Sequence, residues 1–128
     1  EEGWFMCDYS ACMGGIYSFN CVATLYTHSS SYNRFATFEI SHQVVAGQTI
    51  SFKYNISGLC GYTDPNGKEL NKIELYINDI LTWNNCGWHG FYEGDAHTEI
   101  NFNGTAEIKI YAAVRASNNI KITEFKID

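Results

Sequence analysis

The chain has 128 residues, a formal net charge of −6, and an aromatic content of 16% that nearly equals its charged content of 17%. That length suffices for one domain whose core holds without a mandatory disulfide or metal. The acid excess works against DNA, RNA or another polyanion, which needs clustered Lys and Arg to displace counterions. No run of eighteen apolar residues offers a membrane span. Neither nucleic acid nor membrane is an expected partner.

One proline and many Ile, Thr, Tyr and Phe favour strands over helices. Strands are predicted at 15–19, 21–27 and 34–41, followed by a turn at 45–48. The most regular run is 49–57, where Ile50, Phe52, Tyr54 and Ile56 alternate with Ser51, Lys53 and Asn55. That is period two, the mark of a strand with one buried face. A long loop over 58–71 contains the turn at 64–67. Alternation resumes at 72–78, with Ile73, Leu75 and Ile77 inward and Lys72, Glu74, Tyr76 and Asn78 outward. A Gly- and Trp-bearing loop over 82–96 carries the aromatic cluster.

Beyond it a strand at 97–103 leads to Asn103 and Gly104, a pair that signals a hairpin between alternating runs. In 106–114, Ile108, Ile110, Ala112 and Val114 turn inward, and Glu107, Lys109 and Tyr111 outward. After a turn at 117–119, the strand at 119–127 changes phase between Ile122 and Phe125, as a bulge would make it do. Eight to ten short strands with one polar face each, and no helical period, predict an all-β, two-sheet antiparallel β-sandwich of jelly-roll type.

Large aromatics in a polar loop are poor candidates for the core. Indole and phenol rings stack on the CH-rich face of a pyranose while their polar edge stays wet. Trp83, Trp88, Tyr76, Tyr111 and Tyr92 are therefore the expected stacking residues, the first four forming one strip if their strands share a sheet. Asn78, Asn84, Asn85 and Lys53 would supply the directional hydrogen bonds that tell one sugar from another. Trp83 continues directly from the preceding strand, so it is also a candidate to cap the core.

The sequence from Val45 to Ser57, then Ile73 to Asn78, the Gly/Trp loop, Gly104 to Ile110 and Ile122 to Asp128 resembles bacterial extracellular jelly-roll modules. These include the carbohydrate-binding modules of polysaccharide-degrading enzymes and related adhesin modules. The likeness covers 34–128 as a pattern of strands and turns, and the Cys-bearing opening from Cys7 to Cys21 departs from it. It implies a secreted or cell-surface bacterial protein in which 1–128 is a single monomeric module, linked to other domains and recognising a neutral β-linked plant-type polysaccharide. The rival expectation is an adhesin or scaffold domain that binds protein or spaces its neighbours.

Catalysis is not expected. His89, Glu93, Asp95 and His97 lie close together, but they match no His-Glu-x-x-His motif, and no Gly-x-Ser-x-Gly elbow is present. No cofactor is required. Modules of this kind often hold a structural calcium ion where the first and last strands meet, which would involve Glu1, Glu2 and Asp128; the sequence leaves that metal site open. Cys7, Cys12, Cys21, Cys60 and Cys86 lack zinc-site spacing, and their pairing also stays open. The acceptor patterns beginning at Asn55 and Asn103 are chance matches to a short motif.

Overall fold

A computed structural model describes residues 13–14, 18–19, 23–26, 34–58, 60–85, 93–115 and 118–128. The described residues contain strands and turns and no helix. Two short pieces come first, β1 (Met13–Gly14) and β2 (Ser18–Phe19), which pair with each other. They are followed by β3 (Ala23–Tyr26), β4 (Arg34–Val44), β5 (Thr49–Ile56), and the small hairpin β6 (Tyr62–Thr63) and β7 (Glu69–Leu70). The rest are β8 (Lys72–Ile77), β9 (Ile80–Asn84), β10 (Glu93–Glu99), β11 (Gly104–Val114) and β12 (Asn119–Ile127).

Eight of these form two four-stranded antiparallel sheets, in the orders β10-β5-β12-β3 and β4-β11-β8-β9. Each buries the side that its alternation marks. From the first sheet Ile50, Phe52, Ile56, Ala96, Ile120, Ile122 and Phe125 enter the core; from the second come Ile40, Ile73, Leu75, Ile108, Ile110, Ala112 and Val114. Edge-to-face contacts join the sheets, with Phe38 and Phe125 at 5.9 Å between ring centroids and Phe52 and Trp83 at 5.5 Å. Such ring pairs add about 0.5–1.5 kcal/mol beyond burial.

The strands anticipated at 49–57, 72–78, 106–114 and 119–127 are present, and the phase change in the last is real. The β12 register on β5 shifts between Thr123 and Lys126, and Glu124 takes the left-handed conformation at φ 54°. Three expectations need correction. Residues 93–96, expected in the loop over 82–96, open β10, which ends at Glu99 rather than at 103. β9 follows β8 through a two-residue turn at Asn78 and Asp79, whose φ values of 50° and 65° give the primed turn that suits strand twist.

The third concerns Asn103 and Gly104, which make no hairpin. β10 pairs with β5, and β11 pairs with β4 and β8, so the segment between β10 and β11 crosses from one sheet to the other. The turn at 45–48 makes a parallel crossing from β4 to β5. Gly47 N donates to Ile100 O (2.8 Å), Ile100 N to Gln48 O (2.7 Å) and Ala46 N to Asn103 Oδ1 (2.9 Å), zipping the two crossings together. The Asn103 side chain thus serves a backbone donor of the neighbouring crossing instead of its own turn.

Candidate ligand-binding face

The outward side of the sheet β4-β11-β8-β9 carries an aromatic diagonal. Tyr111 on β11 lies opposite Thr37 and Glu74; one row along, Tyr76 on β8 lies opposite Lys109 and Leu81. One row in the other direction, Phe35 on β4 lies opposite Ala113. Diagonal neighbours on adjacent antiparallel strands are about 7–8 Å apart, within reach of aromatic side chains. Phe35, Tyr111, Tyr76 and Leu81 therefore run across all four strands, the first three half-buried and Leu81 44% exposed.

Each of the three rings carries an ammonium. Lys109 Nζ stands 4.8 Å from the Tyr76 centroid, and Lys68 Nζ lies 4.7 Å from Phe35 and 5.4 Å from Tyr111. Lys68 reaches the face from the hairpin of β6 and β7. Arg115 likewise lies over Tyr62, at 3.9 Å. Cation–π contacts at exposed sites are worth about 0.5–1 kcal/mol each.

A polar chain runs beside the rings. Tyr76 Oη donates to Glu74 Oε1 (3.1 Å), and Lys72 Nζ bridges Glu74 (3.3 Å) and Glu69 (3.4 Å). Partial burial, then the bond to Glu74, raises the Tyr76 phenol above its usual range. For Lys72 burial is the largest influence and pulls downward, but Glu74 and Glu69 together outweigh it and hold the ammonium above its ordinary value. Tyr111 Oη is buried and has no hydrogen-bond partner among the described residues. Next to Lys109 the diagonal opens into a shallow groove of about 360 Å3, lined by Glu39, Ser41, Asp79, Glu107 and Lys109.

The residues expected at a sugar site have different fates. Tyr76 and Tyr111 share one face, and Asn84 stands half-buried opposite Glu74 on that face. Trp83 lies opposite Leu75 and turns inward, with Phe52 at 5.5 Å and Tyr54 at 5.3 Å, so its ring packs on the core and caps the seam. Asn85 is 3% exposed; its Oδ1 accepts from Ile73 N (2.5 Å) and its Nδ2 donates to Asn71 O (3.1 Å), which commits both ends of the amide to backbone.

Asn78 extends the ladder beyond β8, its Oδ1 accepting from Glu107 N (2.8 Å) and its N donating to Glu107 O (2.9 Å). Lys53 lies on β5, in the other sheet. Trp88 and Tyr92 lie outside the described residues, as do Glu1, Glu2 and every cysteine but Cys60, a half-buried free thiol. No group of three or more His, Cys, Asp or Glu suited to a metal ion occurs among the described residues.

Sequence reasoning missed Phe35 and Lys68. Phe35 and Phe38 have opposite parity on β4, so composition alone cannot say which faces out. Lys68 reaches the rings only through the fold of a distant hairpin. No protein-family model and no curated protein matches the chain.

Proposed function

We propose that this chain is a non-catalytic carbohydrate-binding module of an extracellular bacterial protein, built as a jelly-roll sandwich and linked to other domains. The observation that carries the reading is the diagonal of Phe35, Tyr111 and Tyr76 on the outward face of one sheet. Three phenyl or phenol rings in a row on a rigid sheet match the repeating CH faces of a polysaccharide. The adjoining groove, with Glu39, Ser41, Asp79 and Glu107, offers hydroxyl-recognising groups.

Strand order supports the jelly-roll reading. β3 neighbours β12 in one sheet and β4 neighbours β11 in the other, as in a chain folded back on itself in two Greek keys. Fold alone would not assign a ligand. The expected ligand is a neutral β-linked glucan, mannan or related plant-type chain, whose stacking displaces the lysine ammoniums from the rings. No cofactor enters this reading, and a structural calcium ion at Asp128 is no part of it.

Affinity electrophoresis against soluble β-glucans, mannans, xylans and pectins tests the proposal. Retardation on at least one neutral glycan is expected, and Tyr76→Ala should weaken it by about 1–3 kcal/mol, the size of an aromatic anchor. Silence across the panel removes the reading. It would then favour an adhesin or scaffold domain, for which the exposed Ile80 (66%) and Leu81 (44%) beside Tyr76 are the specific support.

A further inference from the structure

The opposite sheet bears a second depression, about 640 Å3, without an aromatic stripe. It spans the outward side of β10, β5 and β12, and strand register arranges its side chains in two rows. One row is Glu93, Asn55 and Lys121; the next is Asp95, Lys53 and Thr123. Carboxylates thus line the β10 wall, and Lys121 and the Thr123 hydroxyl stand on the β12 wall, with an amide and a second ammonium between them.

Internal pairing consumes part of this set. Asn55 Nδ2 donates to Glu93 Oε2 (3.1 Å). Lys53 lies directly opposite Asp95 in register, yet its ammonium pairs with Glu124 at 3.6 Å instead. Glu124 is the bulge residue, so the irregularity in β12 places the carboxylate that draws Lys53. What remains without an ion pair among the described residues is two acids, Glu93 and Asp95, on β10 and one base, Lys121, on β12, with Asp95 and Lys121 at diagonally opposite corners. Two strand spacings and one side-chain repeat put these corners roughly 12 Å apart.

Charges set on a solvated outer face serve solubility when they are mixed and mutually screened. Here the acids and the base are segregated to opposite walls of a depression; Asn55, on the strand between them, and Thr123, beside Lys121, add hydrogen-bonding groups. Tyr54, which borders the floor, is 7% exposed and packs beneath Gly94, so it offers a ligand little ring surface. A ligand suited to these walls has hydroxyls along its middle and opposite charges at its two edges.

We propose that this groove binds a zwitterionic saccharide, with a ligand ammonium on Asp95, a ligand carboxylate on Lys121, and sugar hydroxyls on Asn55 and Thr123. The site lies on the other sheet from the aromatic diagonal and stands or falls independently of it.

The test uses backbone-amide NMR on the whole chain, titrated with an N-deacetylated hyaluronan tetrasaccharide, whose glucosamine and glucuronate residues alternate. The N-acetylated parent supplies the carboxylates alone, a chitosan tetramer the ammoniums alone, and a Lys-Gly-Gly-Glu peptide the same charges without hydroxyls. The zwitterionic sugar should shift the amides of 53–55, 94–95 and 121–123 and bind more tightly than any control. Asp95→Asn and Lys121→Gln should each weaken it about threefold to fivefold, the range of an exposed ion pair. Tyr76→Ala should leave it unchanged. Absence of binding, equal binding of a control including the peptide, shifts confined to other residues, or indifference to both groove substitutions would each overturn the proposal.

Discussion

Tyr111 shows how ring and hydroxyl can be separated on the candidate face. Its Oη is buried without a partner among the described residues, and a buried unsatisfied donor costs about 1–3 kcal/mol. Tyr111→Phe keeps the ring and removes that burden, so thermal unfolding should shift upward while glycan retardation stays as it is. Loss of retardation would instead assign the hydroxyl a part in binding. Tyr76 differs, because its phenol is raised by burial and by the bond to Glu74. A phenol with a raised folded value contributes stability that is complete below its unfolded value near 10 and is lost as pH climbs through the folded one. Lys72, also raised, has the same sign and the same alkaline window. Glu74→Gln should therefore lower the Tyr76 titration midpoint, read by NMR at its ring carbon, and flatten the alkaline dependence of stability.

The elements differ in how plainly the sequence announces them. β5, β8 and β11 are legible because each alternates strictly over six residues or more, and that phase alone sends Tyr76 and Tyr111 outward. β9 is not, because its turn of Asn78 and Asp79 lacks the glycine that usually marks a primed turn. Asn103 and Gly104 mislead for a physical reason: turn chemistry is local, whereas passing to a second sheet or returning along the first is decided by distant pairing. The junction between β7 and β8 is equally opaque. There Asn71, fully buried at φ 56°, accepts from Arg115 N (3.0 Å) and Asn118 Nδ2 (3.4 Å), while its carbonyl receives Asn85 Nδ2. Asn tolerates the left-handed conformation better than other non-glycine residues. Asn71→Ala should cost about 2–4 kcal/mol through lost buried hydrogen bonds and backbone strain, measured as a fall in the urea midpoint. Asn71→Gly, relieved of the strain, should lose less.

Across the whole molecule, Trp83 separates stability from recognition. It bridges the sheets through Phe52 and Tyr54, so Trp83→Ala opens a cavity at the seam and should cost about 2–4 kcal/mol of fold stability. At temperatures where the variant remains folded, its retardation on glycans should equal that of the parent chain. The opposite outcome, a stable protein that no longer binds, would move the site from the outward face to the seam. One sheet presents rings and the other a polar groove, and residues of both enter the same hydrophobic cluster.

The place of β12 has a consequence for how the chain is made. It lies inside its sheet, between β5 and β3, so the last described strand to leave the ribosome completes pairings with segments synthesised long before it. Few of the sheet contacts are local, a topology that folds in milliseconds to seconds rather than microseconds. Until residues 119–127 emerge, β3 has no partner among the described strands of its sheet, and Ile120, Ile122 and Phe125 are missing from the core. Folding of this domain during translation therefore waits for residues 119–127, and a nascent chain stalled before residue 119 should remain protease-sensitive throughout. Exposed strand edges in that interval make the unfinished chain a natural client for holding chaperones.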